Sequence, residues 1–84
     1  MSYQIRIRRS AQKALAGIEK ERRAAIVKAI VGLADNPRPV GTRKLRDRDG
    51  WRIRVGDYRV IYEIRDRELI VAVVAVGHRR DVNR

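Results

Sequence analysis

The sequence predicts an α+β domain, and three observations predict it. Residues 3–8 alternate Tyr3, Ile5 and Ile7 against Gln4, Arg6 and Arg8, the pattern of a half-buried strand. Residues 11–33 carry apolar side chains at helical spacing. Residues 51–76 hold three apolar runs separated by turns. The order strand, two helices, three-stranded antiparallel meander implies one antiparallel sheet with helices packed on one face. The chain has 84 residues, so 1–84 is a single domain.

Each element follows from local residues. Ser10 is the N-cap expected after the first strand. Ala11, Ala14, Leu15 and Ile18 fall at i, i+3, i+4 and i+7, and Ile26, Ala29, Ile30 and Leu33 repeat that spacing. Between them Glu19-Lys20-Glu21-Arg22 is polar. The reading is a hairpin of helices at about 11–18 and 21–34, with one long bent helix as the alternative. Asp35-Asn36-Pro37 stops the second helix. A basic loop, 38–50, follows. Strands are expected at about 51–55, 58–65 and 68–76. Gly56-Asp57 is a two-residue turn with Gly at the first central position, the type II′ signal. Asp66-Arg67 fits a second turn by length. A short basic tail, 77–84, ends the chain.

Composition narrows the chemistry. Lys and Arg number 21 against 10 Asp and Glu, a net charge of +11. Such charge repels itself, so a polyanionic partner is expected. Arg dominates, and Arg makes bidentate phosphate contacts. There is no Cys, which removes disulfides, thiol nucleophiles and thiolate metal sites. His78 is the single His, so a zinc site or a Ser-His-Asp triad lacks its parts. Carboxylates form no metal-binding cluster, and no cofactor is expected. The longest apolar run, Leu69–Val76, is far too short to span a membrane. The N-terminus lacks an apolar signal segment, so a cytoplasmic location is expected.

The hairpin turn sets a register. Val55 faces Tyr58, Ile53 faces Val60, and Trp51 faces Tyr62 on the core side. Arg54 then faces Arg59, and Arg52 faces Ile61, on the other side. Like charges directly across a ladder destabilise it, so an anion belongs between Arg54 and Arg59. The other reading is a solvated basic face with no ligand. Arg79, just past the last strand, joins from the side. Arg43, Lys44, Arg46 and Arg48 of the loop extend the patch. Trp51 and Tyr62 read as core. Tyr58, at the hairpin end, reads as core or as a base-stacking ring. His78 is either a surface residue or a proton shuttle.

The run Gly50-Trp51-Arg52-Ile53-Arg54-Val55-Gly56-Asp57-Tyr58-Arg59-Val60-Ile61-Tyr62-Glu63-Ile64 resembles the central signature of the RelE/ParE toxin superfamily. Val76-Gly77-His78-Arg79, Asn36-Pro37, Lys44-Leu45 and the strand leading to Ala11 and Leu15 add to it, over about 3–83. The subgroup looks nearer RelE. The resemblance implies a toxin of a type II toxin–antitoxin system, silenced by a cognate antitoxin. It implies a ribosome-dependent endoribonuclease that cleaves mRNA by 2′-OH attack on the adjacent phosphate. An acidic antitoxin, the ribosome and mRNA are the partners implied, and a heterotetrameric toxin–antitoxin complex is one implied form. The family's basic catalytic positions fall on Arg52, Arg54, Arg59 and Arg79. The first two are often Lys in the family, and Asn83 stands where a Tyr is common. Arg stays protonated, so His78 or the ribosome is left as the base. The alternatives are a ParE-like inhibitor that binds DNA gyrase without cutting RNA, and a toxin fold that binds nucleic acid without cleaving it.

Overall fold

Gly56 adopts φ 61°, and Asp57 does not share a positive φ. This is the backbone a type II′ turn requires, and it sets the central hairpin as the sequence predicts. Strand β3 (Trp51–Val55) pairs antiparallel with β4 (Tyr58–Arg65). Val55 lies opposite Tyr58, Arg54 opposite Arg59, Ile53 opposite Val60, Arg52 opposite Ile61 and Trp51 opposite Tyr62. These features belong to a computed structural model that describes residues 2–78. Arg79 and Asn83 lie outside the described residues.

The remaining elements are β1 (Gln4–Ile7), α1 (Arg9–Ala16), α2 (Lys20–Gly32), β2 (Arg43–Lys44) and β5 (Ile70–His78). The sheet has five strands in the order β1-β5-β4-β3-β2. The expected antiparallel meander is formed by β3, β4 and β5, and two features depart from a wholly antiparallel sheet of four strands. First, β1 pairs parallel with β5, Ile5 beside Val71 and Ile7 beside Val73. Second, the loop contributes a two-residue strand, with Arg43 beside Arg52 and Lys44 beside Trp51. The sheet is therefore mixed, within the expected α+β class.

Both helices cover one face. Ala11 and Leu15 of α1, Ile26 and Ile30 of α2, and Leu33 just beyond it meet Ile53, Val60, Tyr62, Val71, Val73 and Val76. Burying each large side chain contributes about 1.5–3 kcal/mol. The buried aromatic is Tyr62, whereas Trp51 is half-buried. Trp51 instead carries the Arg38 guanidinium 4.9 Å from its ring centroid and the Lys44 ammonium at 5.9 Å.

Several boundaries move: α1 ends at Ala16, α2 at Gly32, and β5 runs Ile70–His78 rather than 68–76, so Gly77 and His78 belong to the strand and not to a tail. Two shifts have local reasons. Arg8, not Ser10, is the N-cap of α1. The Arg8 N–H donates to the Val73 carbonyl at 2.9 Å, so the chain leaves β1 directly into the helix. The turn after β4 spans four residues, because Arg65 pairs with Ile70 and Leu69 takes φ 55°. That places the Leu69 carbonyl 2.7 Å from the Gln4 N–H, which starts the parallel pairing. Asp66 in this turn accepts from the Tyr3 hydroxyl at 2.7 Å and from both terminal nitrogens of Arg38.

Candidate nucleic-acid interface

Strand alternation sends every second side chain away from the helices. On β4 these are Arg59, Ile61, Glu63 and Arg65, and on β3 they are Arg52 and Arg54. Register adds Arg43 from β2 beside Arg52, and Arg6 from β1 beside Ala72. Six arginines of the strands thus share the open face. Glu63 is the one carboxylate carried by the described strands, and it lies 3.6 Å from Arg65. The upper half of this face, around Arg43, Arg52, Arg54 and Arg59, has no strand carboxylate.

The floor between these cations is small and apolar. Arg59 lies opposite Gly77, Ile61 opposite Ala75 and Glu63 opposite Ala72. Ile61 is buried although it points away from the helical core. The register of β5 shifts between Ile61 and Tyr62, a bulge that keeps Val73 and Val76 both in the core. Gly77, which carries no side chain, lies directly across from Arg59. Arg52 and Arg59 are half-buried, and the Nε of Arg59 is sealed from water. Arg54 is exposed. Cations over a partly dry floor attract an anion more strongly than fully solvated ones.

The structure sorts the remaining sequence candidates. Arg46 and Arg48 are exposed in the loop before β3. Lys44 sits with Trp51, on the helix side of the sheet rather than with Arg52. Tyr58 and His78 lie opposite each other, their rings 5.7 Å apart edge to face, also on the helix side. Tyr58 packs against the rim of the core, and Asp57 in the adjoining turn pairs with Arg22 at 3.8 Å. So Arg52, Arg54 and Arg59 are brought together, and His78 is placed beside Tyr58 at the end of β5. Arg79 is outside the described residues. Arg43, expected only as a loop cation, proves to be part of the open face through β2. Its sequence signal was weak, because a two-residue strand has no periodicity to read.

No His, Cys or carboxylate cluster able to hold a metal ion occurs among the described residues. No described helix is long and apolar enough to cross a membrane.

Comparison with known proteins agrees with this architecture. The profile of the ParE toxin of the type II toxin–antitoxin system parDE matches residues 5–83. A RelE-like toxin protein of Escherichia coli is 35% identical over 82 residues, covering 94% of this chain and 85% of its own. Among solved structures, an archaeal RelE–RelB complex from Pyrococcus horikoshii superposes with a TM-score of 0.84 at 27% identity, over 94% of this chain and 97% of that one. A RelBE toxin–antitoxin complex from Mycobacterium tuberculosis gives 0.83 at 27% identity, over 94% and 100%. A doubly substituted Escherichia coli RelE in the free state gives 0.81 at 26% identity, over 99% and 90%.

Proposed function

This chain belongs to the RelE/ParE family of type II toxins, and we propose that it is a ribosome-dependent endoribonuclease that cleaves mRNA and is silenced by an acidic cognate antitoxin. The observation that carries the reading is Arg54 opposite Arg59, beside Arg52, on an open face whose floor is Ile61, Ala75 and Gly77. A fold tolerates that repulsion most readily if an anion offsets it.

The reaction is attack of a ribose 2′-OH on the adjacent phosphorus. The 2′-oxygen bond forms, the bond to the 5′-oxygen breaks, and the products are a cyclic phosphate and a free 5′-OH. Arg54 and Arg59 hold the scissile phosphate and stabilise its developing charge. Arg52 orients the backbone, with Arg43 beside it. Arg79 follows His78 in sequence and is assigned to the leaving oxygen. None of these arginines is a base at neutral pH. The base is His78 or a group of the ribosome. Support for His78 comes from the sheet's edge: β1 covers β5 only from Ile70 to Val73. RNA that crosses the edge at Gly77 meets both faces there, Arg59 on one and His78 with Tyr58 on the other. The binding of RelB by the related RelE structures supports an antitoxin partner here.

Brief expression in cells, followed by primer extension on mRNA, tests the reading. New 5′ ends inside translated frames are the expected result. Loss of DNA supercoiling with intact mRNA would replace it with gyrase inhibition, the alternative that the resemblance to ParE implies. Neither effect would leave a toxin fold that binds without cleaving.

A further inference from the structure

We infer that Glu63 is a positioning residue for the RNA: by holding Arg65 it closes the lower half of the open face to phosphate, and so confines the RNA backbone to Arg43, Arg52, Arg54 and Arg59. The inference rests on the ribonuclease reading above and names what sets the place of the RNA on that site.

The register lays the open face out in rows. Arg54, Arg59 and Gly77 make the first, and Arg43, Arg52, Ile61 and Ala75 the second. The third runs Glu63, Ala72, Arg6 across β4, β5 and β1, and the fourth Arg65, Ile70, Gln4. Glu63 therefore stands where the arginine-rich rows end. It lies 3.6 Å from Arg65, and Glu68 of the following turn lies 4.0 Å from the same guanidinium. Only the small Ala72 separates Glu63 from Arg6 along its row. The upper rows are thus strongly positive, while the cations of the lower rows are offset by carboxylates.

Stability does not account for Glu63. Its side chain is 36% exposed and that of Arg65 is 55% exposed, and ion pairs so open to water contribute little. Affinity does not account for it either, since a carboxylate on a face that meets a polyanion repels it. What a repulsive group supplies is discrimination between one placement of the ligand and another. Phosphate contacts carry no sequence information and let a protein slide along a nucleic acid. A face of arginines alone would hold the backbone equally well at Arg65 and Arg6, away from Arg54 and Arg59. Glu63 is four residues from Arg59, about 13 Å along an extended strand. That is beyond the screening length of about 8 Å at physiological salt. Glu63 therefore acts weakly on a phosphate seated at Arg59 and strongly on one displaced toward Arg65.

The test measures ribosome affinity, its salt slope, and single-turnover mRNA cleavage on ribosomes saturated with the full chain. Glu63→Gln keeps the side-chain shape and removes the charge, which leaves Arg65 with Glu68 alone. Glu21→Gln, exposed in the first turn of α2, makes the same net-charge change on the helical side. Circular dichroism melts verify folding. Glu63→Gln should bind ribosomes about threefold tighter or more, with a salt slope steeper by about 0.7–0.9, the signature of one added phosphate contact. Its cleavage at saturation should fall about tenfold or more, because the RNA is held out of place. Adding Arg65→Gln to Glu63→Gln should restore both slope and rate, and Glu21→Gln should behave as wild type. Wild-type slope and rate in Glu63→Gln would overturn the positioning role and leave the ribonuclease reading intact. So would a double variant as slow as Glu63→Gln alone, which would show that Glu63 does not act through Arg65. A Glu21→Gln chain that matches Glu63→Gln would overturn it too, by reducing the effect to net charge. A wild-type chain that cuts no mRNA on ribosomes would remove the ribonuclease reading and this inference with it.

Discussion

Arg54 and Arg59 face each other directly across β3 and β4, at a position where the hairpin register leaves the pair without mutual backbone hydrogen bonds. Such pairs bring Cα atoms to about 4.5 Å, closer than hydrogen-bonded pairs do. Like charges directly opposite on such a pair destabilise the ladder. Their environments differ, since Arg54 is exposed and Arg59 is half-buried.

That difference separates function from stability. Arg54→Ala and Arg59→Ala should each lower RNA cleavage at least about 100-fold, as loss of a charge-stabilising donor does. Arg54→Ala should leave the melting temperature unchanged or raise stability by a few tenths of a kcal/mol. Arg59→Ala should cost about 1 kcal/mol, because its stem packs as well as its charge acts. Arg54→Glu should stabilise the fold by about 0.2–1 kcal/mol through a cross-strand ion pair, and still abolish cleavage. Full cleavage by Arg59→Ala would sink the site assignment.

Tyr62 and Trp51 are opposed in register but carry different weight. Tyr62 is fully buried, and its hydroxyl donates to the Pro37 carbonyl at 2.8 Å. Tyr62→Phe leaves that buried carbonyl unmet and should cost about 1–2 kcal/mol. Trp51 would cost about 3–5 kcal/mol on truncation if it were fully buried. Half-buried, with Arg38 and Lys44 on its ring, it should cost about 2 kcal/mol as Ala, mainly from lost area and cation–π contact. Chemical denaturation of the two variants measures the difference, and a larger loss for Trp51→Ala than about 3 kcal/mol would contradict the burial argument.

Asp66 sets an acid limit. The Arg38 guanidinium and the Tyr3 hydroxyl hold its carboxyl below the ordinary value of 3.8. A depressed carboxyl adds stability that is present above the unfolded value and is lost as pH falls through the folded one. The melting temperature should thus drop more steeply below about pH 4 in the wild type than in Asp66→Asn. At the other extreme, burial raises the Tyr62 hydroxyl above 10.0, and the hydrogen bond to Asp66 raises that of Tyr3. Their contribution is present below pH 10 and is lost as pH rises through the folded values. Identical acid profiles for wild type and Asp66→Asn would show that the Tyr3–Asp66–Arg38 cluster does not tie the strand ends together.

Ribosome binding through the open face should fall steeply with salt, since each phosphate contact releases counterions. Arg43→Glu should reduce the log–log slope by about 1 or more. Arg46→Glu and Arg48→Glu, in the exposed loop, should do less, and none of the three should lower stability noticeably. Affinity that stays flat from low to moderate salt would place the contact elsewhere on the molecule.

The sequence by itself determined everything that depends on local periodicity. The Gly56-Asp57 turn needs one positive φ at a Gly, and that fixes the pairing of Trp51–Val55 with Tyr58–Tyr62 residue by residue. With the register known, alternation puts Arg52, Arg54 and Arg59 on one face. Helical spacing likewise marked Ala11, Leu15, Ile26, Ile30 and Leu33 as core. Only the tertiary structure decided the parallel pairing of β1 with β5, since no local pattern links residues so far apart in the chain. The same holds for β2, whose two residues pair only because β3 is already in place. Trp51 shows the remaining gap: alternation assigns a side of the sheet, but only the packing of the 36–44 loop decides how much of that side is dry.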